Sequence, residues 1–186
     1  ILDEKHYLHL AEKVMHWIVD TQWKDGKLYR NYNDGASNIE GFLEDYAHTI
    51  DACIAMYQST FKLDWLNKAK ELMDHCISAF GDSDSQMFFF TDEGTQLIAR
   101  KMEINDNVIP SSNSVMARNL YYLGRYMNEA SYLERSRTML ANVYDGMEQY
   151  GSGYSNWGMV LLHEIYGLAE LVISDRKDMF TLPKSG

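Results

Sequence analysis

One seven-position pattern recurs three times in this chain. Tyr7, Leu8, Ala11, Val14, Met15, Ile18 and Val19 form the first copy; Trp65, Leu66, Ala69, Leu72, Met73, Cys76 and Ile77 the second; Tyr132, Leu133, Ser136, Met139, Leu140, Val143 and Tyr144 the third. Each copy keeps the spacing of a single helix face, and the three superpose without a gap. A unit of this kind cannot bury its apolar face alone, so neighbouring units must cover it. Further helical stretches lie near 43–58, 112–127 and 156–168, giving the order outer helix, connection, second helix, three times over. The expected fold is all-α: three helical hairpins in one domain over 1–174, with a tail over 175–186. Only Pro110 and Pro183 occur in the chain, which suits uninterrupted helices.

The connections alternate in length. Those after the first-type helices are long, and Leu28 to Tyr32 and Met87 to Phe90 lie beside the turn signals Asn33-Asp34-Gly35 and Asp92-Glu93-Gly94, which predicts short β-hairpin-like excursions. Those after the second-type helices, Phe61 to Asp64 and Asn128 to Ser131, leave room only for a tight turn. All long connections therefore collect at one end of the stack, where binding residues tend to gather.

Charge and hydropathy narrow the partners. The formal net charge is −10 with no Lys/Arg-rich segment, which argues against nucleic acid or an anionic membrane. No apolar run approaches a membrane span, and the N-terminal residues do not read as a leader; the expected location is the cytoplasm. Cys53 and Cys76 sit inside helical patterns without a CxxC, so each reads as a buried thiol. No metal-ligand spacing, phosphate loop or nucleophile elbow is present, and neither a metal nor a cofactor is expected.

Two stretches could carry chemistry. In the helix beginning at Gly41, residues Tyr46, Ala47, Ile50 and Ile54 share one face, and Glu44, His48 and Asp51 fall opposite. Carboxylates bracketing an imidazole suit general acid/base work, and an ordinary solvated helix face is the plainer reading. The segment from Arg100 to Ser114 is dense in hydrogen-bonding groups, followed by a Ser/Asn helix start. Helix capping alone explains Ser111 to Asn113; donors facing a polyhydroxyl or anionic ligand are the sharper alternative. Tyr154 and Trp157, after Gly151-Ser152-Gly153, could form an aromatic platform for a sugar ring or simply pack in the core.

Taken in order, Leu28-Tyr29-Arg30, Gly41-Phe42-Leu43-Glu44-Asp45-Tyr46-Ala47, Phe88-Phe89-Phe90-Thr91, Arg100-Lys101-Met102-Glu103 and Ile109-Pro110-Ser111-Ser112-Asn113-Ser114 resemble the YyaL/spermatogenesis-associated protein 20 family. That resemblance implies a thioredoxin-like domain followed by an (α/α)6 toroid of the six-hairpin glycosidase and N-acylglucosamine 2-epimerase type, of which this chain matches part of the toroid only. The chain departs from the family where Arg100-Lys101-Met102-Glu103 and Asp106-Asn107-Val108 stand. Glu170-Leu171-Val172-Ile173 resembles a short strand that follows the helices in the family.

The expected function is a toroid fragment that binds or acts on a carbohydrate-like ligand, in the manner of a sugar epimerase/isomerase or a glycoside hydrolase. Glu44, Asp45 and His48 are the acid/base candidates. Arg30, Tyr46, Asp51, Arg100, Lys101, Glu103, Ser111, Asn113, Tyr154 and Trp157 are the ligand-binding candidates. Expected partners are a sugar-type small molecule, the thioredoxin-like domain and remaining hairpins, and a second copy through exposed helix edges. The alternative is a non-catalytic helical scaffold for protein or domain interaction.

Overall fold

A computed structural model of the protein describes residues 5–35, 37–94 and 100–168. The tail over 175–186 and the Glu170–Ile173 stretch lie outside the described residues. The described helices are α1 (Lys5–Trp17), α2 (Leu43–Thr60), α3 (Leu63–Ala79), α4 (Ser112–Tyr126), α5 (Ala130–Gln149) and α6 (Ser155–Tyr166). Tyr7, Trp65 and Tyr132 each occupy the third position of α1, α3 and α5. The sequence repeat is therefore a structural repeat. Ile18 and Val19, the last members of the first copy, lie in a π-helical turn spanning Ile18–Gln22.

The helices form two rows. Along the inner row α2 packs on α4 and α4 on α6, while α3 and α5 pack behind α2 and α4. Helix α4 stands at the centre, and Val115, Met116, Leu120 and Leu123 are fully enclosed. Close approach of α4 and α5 requires Gly124, where a Cβ would fall 2.7 Å from the Leu133 side chain. Polar side chains stitch the helices across this core: the Asn119 amide donates to the Ala47 carbonyl at 2.8 Å, and the Ser136 hydroxyl to the Ala117 carbonyl at 2.8 Å. Both thiols are free and buried, and burial pushes Cys53 up to about 12 and Cys76 well above the usual thiol range.

The long connections carry short β excursions, but the paired strands lie over 23–28, ahead of the Leu28 to Tyr32 stretch, because Asp25-Gly26 makes the tight turn. Strands β1 (Trp23–Lys24) and β2 (Lys27–Leu28) pair antiparallel in the register Trp23↔Leu28 and Lys24↔Lys27. Asp25 and Gly26 close the turn with φ of 51° and 76°, the left-handed pair that a two-residue hairpin needs. The chain then turns back at Asp34 and Gly35, so that Tyr29 bridges Glu40. In the second long connection Gly81 bridges Phe88. Each short connection contains one left-handed residue, Phe61 directly after α2 and Asn128 two residues after α4.

Candidate functional site

Helix α2 begins where the first long connection ends, and its first turn supplies most of the candidate site. The Phe42 amide donates to the Asp45 carboxylate at 2.8 Å, which satisfies one of the orphan N–H groups of a helix start. Arg30 arrives from the hairpin segment, held by its amide on the Ile39 carbonyl at 3.0 Å. Its guanidinium meets Glu44 at 3.0 Å and Asp45 at 3.7 Å, and lies over the Phe42 ring at 4.7 Å. Both carboxylates remain partly exposed. Burial raises the Asp45 carboxyl above the usual range, opposed by the Phe42 N–H and by Arg30.

Two open clefts meet at this point. The first, about 390 Å³, lies beside the hairpin and is lined by Trp17, Tyr29, Arg30, Glu44, Asp45 and His48 among others. The second, about 360 Å³, runs along the 101–112 segment and is lined by Glu44, Lys101, Glu103, Asn105, Asn107 and Ser112 among others. Glu44 lines both. Glu103 accepts from the Ser112 hydroxyl at 3.0 Å, and Lys101 stands 3.8 Å from it with most of its side chain exposed. Ser111 also reaches the second cleft, although its hydroxyl is spent on the Ile104 carbonyl at 2.8 Å.

Several expected ligand contacts are instead structural. Tyr46 is buried, and its hydroxyl accepts from the Leu28 amide at 2.8 Å, fastening the hairpin to α2. Arg100 donates to the carbonyls of Thr91 and Ala79 and lies over Phe89, which ties down the second long connection. Asn113 is fully enclosed; its amide pairs with both backbone groups of Phe88 and donates to the Glu103 carbonyl. Trp157 is likewise enclosed, with its indole N–H on the Ile104 carbonyl at 2.8 Å. Tyr154 packs over Gly146, where a Cβ would meet its ring. The physical reason is common to the first four: a large polar side chain beside a long loop satisfies backbone that would otherwise be buried unpaired.

Asp51 does not join Glu44 and His48 at the clefts. It pairs with Arg118 of α4 at 2.9 Å, and Arg118 also donates to Asn156 of α6 at 2.7 Å. Asn156 donates in turn to Ser114 at 2.9 Å, and Ser114 to Asp106 at 2.6 Å. The Asp106 carboxylate further accepts the amides of Ser111 and Asn156. Sequence reasoning missed Arg118, and it singled out neither Asp106 within the Arg100–Ser114 stretch nor Asn156 between Tyr154 and Trp157 as a site residue. The available signal was one arginine as the sole charged residue of the Ser114–Gly124 stretch of α4. Among the described residues no group of three His, Cys, Asp or Glu side chains is placed to hold a metal.

No family model matches the chain. Spermatogenesis-associated protein 20 of Rattus norvegicus is 30% identical over 111 residues, 59% of this chain and 14% of that protein. Its Homo sapiens counterpart is 29% identical over the same share. An uncharacterized protein of Caenorhabditis elegans is 28% identical over 144 residues, 72% of this chain and 19% of that protein. The chain thus spans less than a fifth of the length of these curated relatives. Among solved structures, a GH76 alpha-mannanase of Bacteroides thetaiotaomicron matches with a TM-score of 0.66 at 11% identity, over 88% of this chain and 47% of that one. Such low identity shows the fold alone. No helix among the described residues is long and apolar enough to cross a membrane. The chain therefore has the fold of part of an α/α toroid and is similar in sequence to part of spermatogenesis-associated protein 20.

Proposed function

We propose that the chain binds a neutral, polyhydroxyl ligand of the carbohydrate class in the clefts at the loop end of its inner helices. The observation that carries this reading is the convergence of Arg30, Glu44, Asp45 and His48 on one open cleft, from two segments separated in sequence. Partly exposed carboxylates and a guanidinium offer acceptors and forked donors together, which suits vicinal hydroxyls. The glycosidase-type fold supports the choice of class as analogy only. Turnover is the narrower reading: Glu44 and Glu103 enter the second cleft from different segments, and a pair of carboxyl groups is what glycoside hydrolysis uses. The cytoplasm is the proposed location. The proposed protein partners are further hairpins, a thioredoxin-like domain or a second copy, met through exposed apolar faces such as Leu10 and Val14 on α1 and Leu162 and Ile165 on α6.

The scaffold alternative is favoured by a different observation, the internal bridge that occupies Asp51 through Arg118 and Asn156. A thermal-shift and calorimetric screen of aldoses, ketoses and amino sugars separates the two readings. Glu44→Gln and His48→Ala should each weaken binding of any hit at least tenfold while changing stability by less than about 1 kcal/mol, as surface substitutions do. Strong destabilisation by both, with binding of the hit retained, would assign these residues to the scaffold.

A further inference from the structure

Three features of the two clefts go beyond a single sugar site. Glu44 is part of the wall of both, so they adjoin across one side chain. Each is near the small end of the size range of ligand pockets, roughly 300–1,000 Å³, at about 390 and 360 Å³. Their walls also differ in kind. The hairpin-side cleft has an apolar body built from Trp17, Ile18, Leu28 and Tyr29. Trp17 is 44% exposed, and its ring stands edge-on to Tyr32 at 5.3 Å. The loop-side cleft sets Lys101, Glu103, Asn105 and Asn107 among the apolar Met102, Ile109 and Pro110.

From these features we infer that the two clefts are adjoining subsites of one elongated site, whose ligand is an oligosaccharide of at least two units with its inter-unit linkage over Glu44. An aromatic face such as Trp17 takes the C–H face of a pyranose, whereas amides and a carboxylate take its hydroxyl edge. A cleft with an exposed indole face beside one with amides and a lysine therefore holds two rings in different ways. The lining carries Glu44, Asp45 and Glu103 against Arg30 and Lys101, so one negative charge is in excess. Neutral and amine-bearing units fit that balance, while uronic or phosphorylated units meet repulsion. The inference rests on the carbohydrate reading above and adds length and charge selectivity to it.

Calorimetric titration of this chain with glucose, mannose and N-acetylglucosamine, and with the linear two- to four-unit oligomers of each, tests it. In at least one series the affinity should rise tenfold or more from one unit to two and level off beyond the third. Trp17→Ala should erase that rise, and Trp17→Phe should keep it. A disaccharide that binds no tighter than its monomer, or a Trp17→Ala chain that keeps the rise, overturns the two-subsite inference and leaves the single-site reading standing. An oligomer of glucuronic acid that binds as tightly as the neutral one overturns the charge selectivity. If none of the neutral sugars binds at any length, both the inference and the carbohydrate reading fall.

Discussion

Helix α1 with the π-helical turn that follows it carries the same seven-position face as α3, and the two bury it very differently. Six residues of α3 are buried, from Trp65 to Cys76, whereas Met15 alone is buried in α1. Tyr7 is 55% exposed where its equivalent Trp65 is 4% exposed. The cause lies in the neighbours. Helix α3 packs broadly on α2 and also touches α4, while α1 meets α2 through a much smaller contact. An apolar face written into a helix is thus a capacity for burial, and the flanking elements decide how much of it is realised.

Substitution at equivalent positions breaks this comparison most sharply. Trp65→Ala should cost about 3–5 kcal/mol, as truncation of an enclosed aromatic side chain does. Tyr7→Ala should cost less than about 1 kcal/mol. Urea denaturation of the two variants measures the difference directly. Equal losses would mean that α1 is covered in solution, by a second copy of the chain or by an arrangement of helices other than the one described.

The same contrast separates what was legible in the sequence from what was not. The repeat was legible because packing of one helix against another imposes a 3.6-residue period, and that period survives even where, as in α1, the face is exposed. The position of Glu44 and His48 on the non-core side of α2 followed from the same period. Tyr46, Arg100, Asn113 and Trp157 misled because residue type does not reveal whether a polar group faces a ligand or a loop carbonyl. Irregular connections have no period from which to read that direction. Arg118 was invisible for the opposite reason: its partners Asp51 and Asn156 lie 67 and 38 positions away, and nothing local links them.

Arg118 of the inner row and Arg30 of the hairpin segment extend the comparison from apolar to charged contacts. Arg118 is 16% exposed in its side chain and joins α2, α4 and α6, whereas Arg30 is 33% exposed and joins the hairpin to one helix start. Arg118→Ala should cost about 1–3 kcal/mol, because it leaves polar groups inside the row without partners. Arg30→Ala should cost no more than about 1 kcal/mol, as expected of a solvent-screened pair. The ligand assay reverses the order: Arg30→Ala should weaken binding more than Arg118→Ala. If Arg118→Ala proves the milder change in denaturation and the harsher in binding, the mid-row bridge belongs to the ligand site.

A smaller effect distinguishes α3 by pH. His75 stacks on Tyr46 at 5.1 Å and meets the Trp23 ring edge-on at 5.7 Å. Burial, and secondarily Lys27, lowers its pKa from 6.5. A depressed folded-state value means that the unfolded chain takes up the proton first. Stability is therefore full above the unfolded value near 6.5 and is lost as pH falls through the folded value. The urea midpoint should drop between pH 7.5 and 5.5, and His75→Phe should make that drop shallower. Some slope should remain, because burial and Arg118 lower His163 in the same direction. A variant with an unchanged slope would place the proton-linked loss elsewhere.

The two short turns give the finest comparison. Phe61, which caps α2, and Asn128, one residue past the cap of α4, both lie in the left-handed region, with φ of 55° and 54°. Asparagine tolerates this conformation, but a bulky side chain pays the steric cost of roughly 1–2 kcal/mol. Phe61 recovers part of that cost through its edge contact with Tyr57 at 6.3 Å, although the residue is 78% exposed. Glycine removes the steric cost and also the ring contact, so Phe61→Gly alone confounds two changes. Phe61→Ala removes the ring and keeps the strain. The glycine variant should therefore be more stable than the alanine variant by about 1 kcal/mol, with the wild type between them or level with glycine. Thermal or urea melts of the pair resolve a difference of that size. An alanine variant as stable as the glycine variant would show that the turn after α2 does not hold a left-handed residue, and the likeness of the two turns would fail at that point.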